Sequence, residues 1–130
     1  MSNDPMTRKT QADQIVETAA RQLNDLLHEA VSQLDPFRPF PGSFFTYGIE
    51  VEGGAAESPE RGCVVLGSDG DLYELEISID SSRQMLDPIA GRDEKLVKLD
   101  LHPRDYILYA YDALTKVTEV LLEQRAQGQA

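Results

Sequence analysis

The sequence predicts an α+β fold in which two long helices cover one face of a four-stranded antiparallel sheet. Three observations support this prediction: helical periodicity near both ends of the chain, alternating apolar residues in the middle, and an Asp69-Gly70 turn between two apolar runs. A chain of 130 residues is long enough for one domain with its own core. We expect that domain at residues 10–125, between a flexible tail at 1–9 and a frayed tail at 126–130.

The first helix is predicted from Thr10 to Leu34, because apolar residues recur there at spacings of three and four. These residues are Val16, Ala20, Leu23, Leu27, Ala30 and Leu34. Asp4 followed by Pro5 is also suited to cap an earlier first turn. The helix should end near Asp35, because the following DPFRPFPG contains three prolines.

The first strand is predicted from Ser43 to Glu52, where Phe45, Tyr47, Ile49 and Val51 alternate with residues of the other face. The fourth strand is predicted at residues 95–101, KLVKLDL, after a long loop at 81–94. Strands two and three should form a hairpin, because Asp-Gly suits a two-residue type I′ turn.

The hairpin register follows from that turn and from the hydrophobic pattern. The expected opposed pairs on the core face are Leu66 with Tyr73 and Val64 with Leu75. The other face should pair Val65 with Glu74 and Cys63 with Glu76. Glu50, Glu74 and Glu76 should then form one acidic, solvated sheet face.

The last helix should begin at Pro103, since proline suits the first helical position and Asp105 follows in the first turn. Its apolar stripe is wide, so we expect it to contact more than one surface. A helix of about 24 residues spans about 36 Å, whereas a strand of about 8 residues spans about 26 Å. The helices should therefore extend past the sheet, and their ends need another surface or must be polar.

The charge of the chain limits its partners. The formal net charge is -11, and residues 50–80 hold nine acids and one base, Arg61. We therefore expect neither nucleic acid nor an anionic membrane surface as a partner. No apolar stretch is long enough for a membrane helix, and MSNDPMTRKTQADQ lacks the apolar core of a signal peptide. These features favour a cytoplasmic location.

The residue types that perform chemistry do not form a recognisable site. The single cysteine, Cys63, is expected to be a buried strand residue, and the two histidines, His28 and His102, are far apart in sequence. The carboxylates of SDGDLYELE lack the spacing of a calcium loop. We assign no catalytic residue, no metal ligand and no cofactor, and a non-enzymatic role is favoured.

The first functional hypothesis is therefore a protein-interaction or chaperone-like module, most simply a homodimer. Its candidate contact residues are Phe37, Phe40 and Phe44 in the proline-rich segment, and Glu50, Glu74 and Glu76 as a surface for a basic protein. In composition and element order the chain resembles type III secretion chaperones, and this resemblance implies a chaperone-like role.

The second hypothesis is a small-ligand-binding protein or an enzyme with a pocket between sheet and helices. Its lining would consist of tyrosines, whose hydroxyl groups need a partner when buried. The candidates are Tyr47, Tyr73, Tyr106 and Tyr111.

Overall fold

The computed structural model describes residues 4–34, 48–79 and 92–128 and confirms the predicted α+β class. The elements are α1 (Pro5–Ser32), β1 (Ile49–Val51), a 3₁₀ turn (Gly54–Ala56), β2 (Cys63–Leu66), β3 (Leu72–Ile79), β4 (Arg92–Lys98) and α2 (Pro103–Gly128). The strands form one antiparallel sheet in the order β1-β2-β3-β4, which is the predicted meander.

α1 begins at Pro5 and not at Thr10, so the alternative helix start, with Asp4 as the cap, is confirmed. The Asp4 carboxylate accepts a hydrogen bond from the backbone N–H of Met6 at 3.2 Å, and Pro5 occupies the first turn. Residues 5–9, predicted as a tail, therefore belong to the helix. The proline-rich segment and the first half of the first predicted strand lie in 35–47, outside the described residues.

The main core lies between the two helices and one face of the sheet, as predicted. Its buried members come from α1, from β1 to β3 and from α2. They include Leu27, Val31, Ile49, Val51, Val64, Leu66, Leu72, Tyr109, Ala110, Ala113 and Val117. The alanines on α2 let this helix approach its neighbours closely, and the aliphatic strand residues fill the space opposite.

The Asp69-Gly70 hairpin is present, but its predicted register is wrong by one residue. Leu66 pairs with Leu72, and the loop between Gly67 and Asp71 contains three residues. Gly67 N–H donates to the Asp71 carbonyl at 2.8 Å, and Gly70 N–H donates to the Gly67 carbonyl at 3.0 Å. Gly70 has a φ of 87°. This is a type I turn followed by a left-handed glycine, and not the two-residue type I′ turn.

The shifted register changes which side chains share a face. Because side chains alternate along a strand, a shift of one residue exchanges the two faces of one strand relative to its neighbour. Glu74 lies opposite Val64 and thus on the helix-covered face, together with Glu76. Glu50 lies opposite Val65, on the other face. The predicted single acidic face is therefore wrong.

The sheet face turned away from the helices is partly apolar. Val65 and Leu75 are buried there, and Tyr73 and Leu96 pack against them. Within the described ranges, neither helix is long and apolar enough to cross a membrane.

Candidate functional site

Among the described residues, the N-terminal part of α1 is exposed, and it adjoins the start of α2 only through Lys9 and Asp13, which share a pocket with His102–Arg104. Every residue from Asp4 to Ile15 is exposed, and Val16 is the first that is partly buried. α2 begins beside the middle of α1, where the Tyr106 hydroxyl donates to Asn24 Oδ1 at 3.1 Å. We call Pro5–Ile15 the overhang. It has eleven residues, or about 16 Å of helix. The exposure of the overhang agrees with the expectation that a helix extends past the sheet.

One exposed face of α1 combines large apolar side chains with uncharged polar ones. At about 100° per residue, its members lie within about 60° of Ile15. We call this set the outer stripe: Arg8, Gln11, Ala12, Ile15, Thr18, Ala19, Gln22, Leu26, Glu29 and Ala30, of which Ala19 and Ala30 are half-buried. Ile15 is 69% exposed and Leu26 is 52% exposed. From Gln11 to Leu26 the outer stripe has no charged residue, although the chain has a net charge of -11.

A shallow, open depression lies along the outer stripe between Gln11 and Gln22, and all of its described lining residues belong to α1. α2 also presents exposed apolar side chains, Leu108, Tyr111 and Leu122, on one of its sides. The wide stripe predicted for the last helix is therefore only partly covered. Exposed large apolar residues arranged along a helix are typical of protein contact surfaces.

A second cluster joins the hairpin to α1 through His28. The His28 Nδ1 atom lies 2.6 Å from the carbonyl oxygen of Asn24, and Nε2 lies 2.9 Å from Asp71 Oδ1. Both neighbours are acceptors, so both ring nitrogens must donate, and only the imidazolium form has two N–H groups. The pKa of His28 is accordingly raised, first by the Asn24 carbonyl and then by the Asp71 carboxylate, with partial burial opposing them.

The remaining groups of this cluster are also paired with one another. Lys98 Nζ lies 3.2 Å from Asp71 Oδ2. Asp69 accepts hydrogen bonds from the Asp71 backbone N–H and from the Tyr73 hydroxyl, and the latter bond raises the pKa of Tyr73 to about 12. Because both His28 nitrogens are already bonded, the geometry is that of a clamp between helix and hairpin, and not of an acid–base site.

The predicted tyrosine pocket is not assembled by the described residues. Tyr73 lies on the sheet face away from the helices, Tyr106 bonds Asn24, and Tyr111 is 70% exposed. Burial raises the pKa of Tyr106 to about 12, with smaller effects from nearby carboxylates. Tyr47, together with the contact candidates Phe37, Phe40 and Phe44, lies outside the described residues.

The other predicted site residues are dispersed. Glu74 accepts a hydrogen bond from the Gly62 backbone N–H at 3.0 Å and so holds the start of β2. Glu50 and Glu76 are exposed on opposite faces. Cys63 is exposed, which contradicts the prediction of a buried strand cysteine, because it lies at the first position of β2.

The sequence prediction missed a cavity beside β1 that contains Arg61 and Tyr109. The cavity has a volume of 230 Å³ and is lined in part by Glu50, Glu52 and Glu57. Tyr109 is 1% exposed, and its hydroxyl oxygen accepts from Arg61 Nη1 at 3.1 Å. Two sequence features could have indicated this cavity. Arg61 is the one base in an acidic segment, and Tyr109 lies on the apolar stripe of α2.

Comparison with known proteins yields no match to a family model, to a curated protein or to a solved structure. The resemblance to type III secretion chaperones therefore rests on composition and element order. In the part of the chain that the structure describes, no three His, Cys, Asp or Glu side chains are grouped so that they could hold a metal ion.

Proposed function

We propose that this protein is a non-enzymatic interaction module that forms a homodimer through the outer stripe of α1. One observation supports this most strongly: among the described residues, a largely exposed, uncharged and partly apolar face runs from Gln11 to Leu26 on a capped helix and begins on the overhang. Two chains of net charge -11 repel each other, so they associate most readily where like charges are absent. Among soluble oligomers, symmetric homodimers are also the commonest.

The outer stripe has few large apolar residues, so the expected dimer is weak. Burial of Ile15 or Leu26 from its present exposure contributes about 1–2 kcal/mol each. The two copies together gain about 4–8 kcal/mol from these side chains, and the loss of translational and rotational freedom offsets much of this. We therefore expect dimers in the high micromolar range, with a contact area at the small end for specific complexes.

Sedimentation equilibrium over a concentration series tests this proposal. The full chain should approach twice its mass, and Ile15→Glu should shift the association to higher concentration by at least tenfold. Thr10→Glu is the matched control, because Thr10 is exposed in the same overhang but lies about 140° around the helix from Ile15. A chain that stays monomeric in the high micromolar range, or an equal effect of both variants, would contradict the proposal.

A second candidate function, the binding of a small amino-acid-like ligand, is favoured by the environment of Arg61. Both of its described hydrogen bonds use Nη1, one to Tyr109 and one to the Ala56 carbonyl at 3.2 Å. No described carboxylate forms an ion pair with Arg61. Its Nε–Nη2 edge, which binds carboxylates at two points, has no acceptor among the described residues. The glutamates that line the cavity suit an ammonium group of the same ligand.

The Arg61 Nε–H signal in a ¹⁵N NMR titration tests this candidate. Glycine should shift that signal, whereas acetate and methylammonium, which each have one of the two charges, should shift it less. Arg61→Lys keeps the charge but removes the two-point edge, so it should abolish glycine binding as followed on the Gly62 backbone signal. An unchanged Arg61 signal up to millimolar glycine would exclude this function.

A further inference from the structure

We infer that Asp112 and Lys116 of α2 close the free edge of β1 to pairing with the β1 strand of a second copy. Among the described strands, β1 lies at one edge of the sheet. The outward N–H and C=O groups of an edge strand are a template on which another strand can add. This surface is separate from the outer stripe, so the inference does not rest on the proposed function.

The hairpin shows which backbone groups of β1 point outward. The Gly67 N–H donates to the Asp71 carbonyl, so the backbone groups of Gly67 point toward β3. These directions alternate along a strand, so the groups of Leu66 point toward β1. Leu66 pairs with Ile49, whose groups therefore point back toward β2. By the same alternation, the N–H and C=O groups of Glu50 point to the free edge.

Two side chains of α2 bind the backbone groups of this edge. Lys116 Nζ donates to the Glu50 carbonyl at 3.0 Å, and the Asp112 carboxylate accepts from the Glu52 backbone N–H at 2.8 Å. The two side chains also bind each other, with 2.9 Å between Lys116 Nζ and Asp112 Oδ2, and both are partly buried. The ammonium and the carboxylate thus occupy the positions of an N–H and a C=O group of a neighbouring strand.

The same two backbone groups are those that a second copy would need. In an antiparallel pair with Val51 opposite Val51 of the second copy, the Glu50 carbonyl would accept from the Glu52 N–H of the second copy, and the reverse bond would also form. The edge is therefore self-complementary, as a two-fold contact requires. Because both groups are already bonded, Asp112 and Lys116 must leave before this pairing can form.

The charges on β1 oppose the same pairing. Glu50 and Glu52 are both exposed, and Glu50 would lie opposite Glu52 of the second copy. Like charges that face each other across a strand pair are destabilising. Salt screens this repulsion between exposed groups, whereas the bonds from Asp112 and Lys116 occupy the edge itself. High salt therefore separates the two effects.

The double variant Asp112→Ala with Lys116→Ala opens the edge without changing the net charge. We compare it with Ile15→Glu alone, in an Ile15→Glu background, so that the outer stripe does not contribute. Hydrogen exchange at the Glu52 amide should become about tenfold faster, because its N–H loses a charged acceptor. In about 0.5 M NaCl, sedimentation equilibrium should show dimers at concentrations at which Ile15→Glu alone is monomeric.

A second variant distinguishes the edge contact from the ion pair. Asp112→Lys with Lys116→Asp keeps both charges on α2 but places an ammonium against an N–H group and a carboxylate against a carbonyl. It should open the edge as the double alanine variant does. Lys9→Ala with Asp13→Ala is the matched control, because it removes another Lys–Asp pair at a spacing of four, on the exposed overhang. Circular dichroism checks that each variant is folded.

Each remaining outcome would overturn the inference. Unchanged exchange at Glu52 would mean that the two side chains do not hold the edge. Faster exchange without added association in either variant would mean that the open edge does not pair. Equal association after Lys9→Ala with Asp13→Ala would assign the effect to the loss of any ion pair. Because all measurements use the Ile15→Glu background, none of these results bears on the homodimer through the outer stripe.

Discussion

The hairpin approaches α1 closely at Gly70, and Gly70→Ala should reduce stability by a predictable amount. An alanine Cβ at this position would lie 2.7 Å from His28 Cδ2 and 3.1 Å from His28 Cα. Gly70 also has a φ of 87°, a conformation that costs an alanine about 1–2 kcal/mol. The helix backbone cannot move locally, so the hairpin must shift and lengthen the 2.9 Å contact between His28 and Asp71.

The lengthened contact between His28 and Asp71 is the second contribution to the loss of stability, and it is smaller than the loss of a buried ion pair would be. The side chains of His28 and Asp71 are partly exposed, so water screens their contact and we assign its loss about 1 kcal/mol. The total for Gly70→Ala is then about 2–3 kcal/mol, which lowers Tm by roughly 5–10 °C in a chain of this size. Urea unfolding followed by circular dichroism measures the change in the free energy of unfolding.

Gly54 provides the matched control. Its φ of 56° imposes a similar backbone penalty, but an alanine Cβ there meets no atom within 4 Å. Gly54→Ala should therefore destabilise by about 1–2 kcal/mol, and the excess for Gly70→Ala isolates the contact with His28. In a His28→Ala background that excess should become smaller, because the 2.7 Å contact with the ring is removed while the 3.1 Å contact with the Cα of residue 28 remains. Equal losses for the two glycine variants would refute the reasoning.

Two further predictions concern His28 and Gly53. Because the pKa of His28 is raised above 6.5 in the folded chain, the clamp contributes fully below that pH and is lost as the pH rises through the raised value. The free energy of unfolding should therefore fall in the original chain as the pH rises above 6.5, and it should fall less in His28→Gln; parallel pH profiles would contradict this. Gly53→Ala should cost about 3 kcal/mol, because its Cβ would lie 2.3 Å from the buried ring of Tyr109, and urea unfolding should show a larger loss than for Gly54→Ala.

The helices and the hairpin were predicted from local patterns, because their formation depends on residues that are close together in the sequence. The spacing of three and four predicted both helices, and the Asp-Gly pair predicted the hairpin. The length comparison also predicted that a helix would outrun the sheet, and the exposed overhang agrees with it. The start of α1 was predicted too late because the periodic apolar stripe begins at Val16, whereas the cap at Asp4 depends on one carboxylate.

The candidate sites were predicted less well because they depend on the register and on contacts between distant residues. Two turn types are compatible with Asp69-Gly70, and they differ by one loop residue. That one residue placed Glu74 on the helix side and so separated it from Glu50. By their spacing alone, Ile15 and Leu26 widen the apolar stripe of α1, and only the tertiary structure shows that both side chains are exposed.

The sequence by itself therefore determined the order, type and approximate length of the elements, since these follow from local periodicity and turn chemistry. The tertiary structure alone decided which residues meet across long separations. His28 contacts Asp71 at a separation of 43 residues, and Arg61 contacts Tyr109 at a separation of 48. Such pairs have no periodic signature, because they form only when packing of the apolar faces brings the hairpin and the strand ends against the helices.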